Sequence, residues 1–329
     1  MRKHALIIGA GGFGYHTARI ISHDYGKRFD SVVISTTSQE KSDTLAEKLR
    51  ETASTKIVPV EIKTFDDSKR VLVDYSPDFV AITAKDKEIG DDIHPLLLEK
   101  SWAFGTNIIE KPFARSFGDG SSILDNHFLL EHVKRYQFRI GIELPMKVIN
   151  HSFGLNPELM KRIAQAQKLT FKWSSPKSDA DLTDNLLLHP WSLIPEYYES
   201  SKAISVPDLS NENERRHMYN FTSFNNQELL VQIDLSYGKS FSGFSIDEGY
   251  TVAIEREGVK NNLVHYNKPL NKLFEEGAEK EEGTHLLSVN NPLKIQLARA
   301  LDLDFVADGQ ILIDSQMFVE QSKGYKIER

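Results

Sequence analysis

The chain has 329 residues, more than one hydrophobic core usually organises, and its 40% hydrophobic and 26% charged residues match an ordinary soluble protein of about two domains. A net charge of -7 with no basic stripe argues against nucleic acid as a partner. The absence of cysteine excludes disulfides, thiolate metal sites and cysteine nucleophiles, and no other metal site is expected.

From the N-terminus, Ala5 to Ile8 is an apolar strand, too short for a signal segment or a membrane span, so a cytoplasmic protein without a membrane partner is expected. Further strands are predicted at Ser31 to Ser35, Phe79 to Thr83, Asn107 to Ile109 and Phe138 to Ile142, with helical spacing between them. This alternation predicts an α/β fold whose N-terminal part is a Rossmann-type doubly wound parallel sheet. After about Pro145 the pattern changes to a period of two, clearest in Leu229 to Tyr237, where Val231, Ile233, Leu235 and Tyr237 alternate with polar residues. Strands at Leu169 to Ser174, Met218 to Phe224, Tyr250 to Arg256 and Asn262 to Tyr266, and helices at Pro157 to Gln167 and Pro292 to Leu301, complete an α+β domain with a large, mainly antiparallel sheet. The expected domains are residues 1–145 and 146–329. The polar runs Asn211 to Arg216 and Glu275 to Glu282 read as solvated loops.

Gly9-Ala10-Gly11-Gly12-Phe13-Gly14 follows the first strand and opens a helix, the setting in which G-x-G-x-x-G binds a dinucleotide. Gly9 permits the turn, Gly11 and Gly12 let the backbone approach the pyrophosphate beside Phe13, and Gly14 lets helix and strand pack closely. The alternative is a glycine-rich turn that serves packing alone. After the second strand an NAD site carries an acid, but here the stretch is Ser35-Thr36-Thr37-Ser38-Gln39-Glu40-Lys41. Hydroxyls of Ser35, Thr36, Thr37 and Ser38, with Lys41, suit a 2′-phosphate, so NADP(H) is the expected cofactor and NAD(H) the lesser one. The alternative is an ordinary Ser/Thr cap of the next helix.

Asn107-Ile108-Ile109-Glu110-Lys111-Pro112-Phe113-Ala114, together with the glycine motif and His94 ahead of Leu96-Leu97-Leu98, resembles the glucose-fructose oxidoreductase and inositol dehydrogenase family of NAD(P)-dependent oxidoreductases. The resemblance implies hydride transfer between nicotinamide and a carbonyl of a sugar or polyol-like small molecule. It implies a second domain for substrate binding and oligomerisation, and a homo-oligomer paired through the exposed face of the C-terminal sheet.

Lys111, at a strand's C-terminal end, is the expected catalytic residue, its ammonium meeting charge that develops on the carbonyl oxygen. A surface lysine capping the loop is its alternative. His189 is the second catalytic candidate, as acid/base. The family places an Asp four residues before this histidine. Here that position is Asn185, with Asp184 one place earlier, and Ser192 stands where many members carry another Asp. Thr83 and Ala84, in place of the family's Thr-Pro-Asn start, and Glu110 are further cofactor contacts. His94, Glu143, Lys147 and Asn185 are candidates for the substrate. The altered Asn185 and Ser192 keep open an imine or thiazoline-type reductase of a biosynthetic pathway; a regulator that senses NADP(H) without turnover is a further alternative, against which Lys111 and His189 argue.

Overall fold

Strands with no polar alternation need cover on both faces, and the first sheet shows it. Ala5 to Ile8, Val32 to Ile34 and Phe79 to Ile82 are buried along their whole length. The computed structural model describes residues 3–84, 93–113, 127–136, 139–143, 146–147, 150, 157–176, 181–194, 198–199, 208–211, 213–223, 227–247, 249–257, 261–266, 286–302 and 309–323. The chain divides into two compact units, Met1–Glu143 with Gln296–Gln316, and Leu144–Ile295 with Met317–Arg329. The sequence suggested one cut near residue 145; the contacts return Gln296–Gln316 to the first unit.

In the first unit β1 (His4–Ile8), β2 (Ser31–Thr36), β3 (Lys56–Glu61), β4 (Phe79–Ile82), β5 (Thr106–Glu110) and β6 (Ile140–Glu143) form one parallel sheet in the order β3-β2-β1-β4-β5-β6. Helices α1 (Phe13–Asp24), α2 (Gln39–Arg50), α3 (Phe65–Tyr75), α4 (Ile93–Ser101) and α5 (His127–Arg135) accompany it. The order reverses between β1 and β4, so a crevice forms outside their carboxyl ends, where sheets of this kind hold ligands. The sequence reading has no strand at β3. Pro59 interrupts that run, and the strand lies at the sheet edge, where a residue without an N–H is tolerated.

The second unit holds β7 (Lys168–Ser175), β8 (Tyr198–Glu199), β9 (Asp208–Asn211), β10 (Glu214–Ser223), β11 (Glu228–Tyr237), β12 (Phe241–Ile246), β13 (Tyr250–Glu257), β14 (Asn261–Tyr266) and β15 (Leu286–Asn290). Their order is β15-β14-β13-β12-β7-β11-β10-β8, with β9 on β10. The sheet is mainly antiparallel, as expected, with β11 alone running parallel to its neighbour β7 among the described strands. Within the run Asn211 to Arg216, Asn211 closes β9 and Glu214 to Arg216 open β10, with Arg216 exposed and bonded across to Asp234 at 2.7 Å, so these residues are strand rather than loop. Glu275 to Glu282 lies outside the described residues.

Helices α6 (Pro157–Gln165), α7 (Leu182–Leu186) and α8 (Leu188–Trp191) belong to this unit; α9 (Pro292–Asp302) and α10 (Gly309–Ser322) follow β15 and each begin in one unit and end in the other. Leu229, Val231, Ile233 and Leu235 are buried on the face that receives α7, whereas Leu230, Gln232, Asp234 and Ser236 on the other face are half-buried. The alternation in Leu229 to Leu235 thus separates a face covered by α7 from a half-buried one. Among the described residues no helix is long and apolar enough to cross a membrane.

Candidate functional site

The glycine turn lies between the end of β1 and the start of α1. Gly9 has φ 86°, open to glycine but strained for other residues, and a Cβ there would overlap the backbone of Ala84. A Cβ on Gly14 would overlap the Gly9 carbonyl and the Thr83 hydroxyl, so the helix packs against the turn only without a side chain. Gly11 and Gly12, by contrast, face open space. Among the described residues no hydrogen bond takes the N–H groups of Gly11, Gly12 and Phe13. Unused amides at a helix N-terminus, beside room that a side chain would fill, fit a pyrophosphate.

Thr83 and Ala84 close the turn from β4. The Thr83 hydroxyl donates to Gly9 O at 2.9 Å, and its N–H donates to Ile8 O at 2.8 Å. Both residues are buried and shape the turn from beneath.

At the end of β2 the four predicted hydroxyls separate into two pairs. Ser35 is buried and donates to Ile7 O, and Thr36 bonds the Ser38 carbonyl and the Ser42 hydroxyl. Both are committed to holding the loop. Thr37 and Ser38 are half-buried, and Lys41 is exposed on the first turn of α2.

Lys111 and Glu110 stand at the carboxyl end of β5, both half-buried, and the Lys111-Pro112 peptide is cis. His94, expected near substrate, is buried on α4 instead. Its Nδ1 lies 2.9 Å from Pro112 O and its Nε2 2.9 Å from Ala84 O, leaving neither nitrogen for a ligand. His94 thus joins the loop after β4 to the loop after β5. Glu143 is the register partner of Glu110 on β6.

The remaining candidates are in the second unit. His189 is half-buried in α8 and stacks on Trp173 with centroids 5.7 Å apart and planes 12° from parallel. Asn185 is half-buried on α7, while Asp184 is buried and turned to Lys323 Nζ at 2.7 Å. Ser192 donates to His189 O at 2.8 Å, and Lys147 Nζ lies 5.6 Å above the centre of the Trp191 ring. A groove of 430 Å³ in this unit is walled by Lys172, Arg216, Asp234 and Phe241, all distant in sequence from the glycine turn. Among the described residues no group of His, Asp and Glu is placed to hold a metal.

The reversed parallel sheet, its glycine turn and the second mostly antiparallel sheet define a two-unit, Rossmann-type fold found among nicotinamide-dependent oxidoreductases. No protein-family model matches the chain, and no curated protein matches its sequence. Solved structures match over nearly its full length. A UDP-N-acetylglucosamine 3-dehydrogenase from Acidithiobacillus ferrooxidans superposes with TM-score 0.62 at 14% identity, covering 99% of this chain and 98% of the other. A Gfo/Idh/MocA family oxidoreductase from Vibrio cholerae gives 0.58 at 14%, covering 97% and 95%. A biliverdin reductase from Synechocystis sp. PCC 6803, in complex with biliverdin and NADP+, gives 0.63 at 12%, covering 98% of each. At these identities the likeness establishes a shared fold.

Proposed function

We propose that the chain is an oxidoreductase that uses a nicotinamide dinucleotide, NADP(H) in preference to NAD(H), to reduce or oxidise a carbonyl carbon in a small sugar-like molecule. The observation that carries this reading is the turn Gly9–Gly14, with unused amides facing open space, after β1 of the same sheet whose strand β5 leads into Lys111. The dinucleotide, when bound, supplies or accepts the hydride. Gly11, Gly12 and Phe13 hold the pyrophosphate by their N–H groups, and Thr37, Ser38 and Lys41 receive the 2′-phosphate. Lys111 Nζ stabilises the substrate oxygen and delivers its proton, and His189 is the second acid/base.

A second reading, reduction of an imine or heterocycle, is favoured by the bond between Asp184 and Lys323, which engages the acid nearest the position four residues before His189. The experiment is titration of the protein with NADPH and NADH, followed by NADPH oxidation with nucleotide sugars, free aldoses, linear tetrapyrroles and cyclic imines. Turnover with one class selects between the readings. Binding without any turnover would refute the enzyme, and equal dissociation constants would refute the cofactor preference.

A further inference from the structure

Sequence alone shows no acid at the end of β2, yet the fold brings one there from the neighbouring strand. Glu61 closes β3 and is the register partner of Thr36. Its Oε1 accepts from the N–H of Gln39, the first residue of α2, at 3.1 Å, and lies 2.9 Å from Lys63 Nζ. The Lys63 hydrogen bond, with the Gln39 amide adding to it, holds the Glu61 carboxyl below its ordinary value. A carboxylate and an ammonium therefore flank the Thr37-Ser38 loop, their side chains 34% and 60% exposed. An ion pair so open to water contributes little to folding, which leaves its charges available to act on a ligand.

We propose that Glu61 and Lys63 form an opposed selector pair for the adenosine ribose of the bound dinucleotide, Glu61 disfavouring a 2′-phosphate and Lys63 favouring it. The inference rests on the dinucleotide reading above and assigns its discriminating residues. In this fold the ribose 2′ position meets the end of the second strand. A 2′-phosphate arriving there seeks the Gln39 amide that Glu61 already uses, and it meets a like charge. A 2′-hydroxyl instead donates to the carboxylate. Lys63 lies close enough to Glu61 to offset part of the repulsion and to pair with the phosphate itself.

The test is fluorescence titration of the full chain with NADPH and NADH for wild type, Glu61→Gln and Lys63→Gln. Glu61→Gln is expected to tighten NADPH by about fivefold or more while NADH is unchanged or weaker, and Lys63→Gln to weaken NADPH by about fivefold with NADH within about twofold. Both effects should shrink at high salt. Equal shifts for the two nucleotides in either variant mean that the pair only supports the loop, and overturn the proposal. Unaltered NADPH affinity in both variants overturns it too, while leaving the dinucleotide reading intact. A folded wild type that binds neither nucleotide overturns that reading and the selector together.

Discussion

His217 provides a direct test of the second unit's core. It is buried on β10, with Nε2 3.3 Å from the Thr183 hydroxyl on α7, and its Nδ1 finds no hydrogen-bond partner among the described residues. Burial pushes its pKa from 6.5 to about 4, with Arg215 adding to the fall while Asp181 and Asp234 oppose it. Because the folded value lies below the unfolded one, the unfolded chain takes the proton first as pH falls. The stabilising contribution is complete above pH 6.5 and is lost as the pH drops towards about 4. At about 1.4 kcal/mol per pH unit, the gap corresponds to about 3 kcal/mol. His217→Gln removes the titrating ring and keeps an amide that can donate to Thr183. Urea unfolding of both proteins from about pH 7.5 to about pH 4.5 should show wild type losing about 2.5 kcal/mol more than the variant, most of the full gap. A difference between the two that stays flat across this range would refute the argument that burial keeps the ring neutral.

Gly9→Ala should destabilise the chain by about 2 to 4 kcal/mol through its positive φ and its overlap with Ala84, and abolish NADPH binding; a melt like wild type's would contradict this. Lys111→Met should lower kcat by about 10² while NADPH affinity changes little, and full activity in that variant would end its catalytic role. His189→Asn should cost roughly 10² to 10⁴ and remove a limb of the pH-rate profile, whereas a core histidine would lower the melting temperature alone. Tyr219→Phe removes the 2.6 Å bond to the Ser322 hydroxyl and should cost about 1 kcal/mol in urea unfolding; no change would mean that the bond is not formed in solution.

The parallel sheet was legible because residues such as Ala5 to Ile8 and Phe79 to Ile82 are apolar at every position, and the glycine turn because its spacing follows a strand. Strand β3 was hidden by Pro59, and Glu61 with it, so the reading that no fixed anion stands at the end of β2 failed through the neighbouring strand. Periodicity told which face of β11 is buried but carries no record of strand direction, so its parallel pairing with β7 was out of reach. Ser35 was read as a ligand donor because a hydroxyl's chemistry is local, while the Ile7 carbonyl that engages it comes from a neighbouring strand 28 residues away. His94 illustrates the same limit. Its two backbone partners are 10 and 18 residues away, a pattern that no spacing rule announces.

The return of Gln296–Gln316 to the first unit bears on how the chain is made. Gln296 Nε2 donates to Ile142 O at 2.7 Å, and Arg28 pairs with Asp302 at 2.5 Å and bonds Leu301 O at 3.3 Å. During synthesis these late partners emerge roughly 150 residues after the last strand of the sheet, an interval on the order of ten to thirty seconds at ribosomal rates of about 5 to 20 residues per second. Throughout that interval the nascent parallel sheet lacks its last segment and is open to chaperones. A gene fragment ended at residue 143 would hold the protein permanently in that unfinished state, even though it encodes every strand of the sheet.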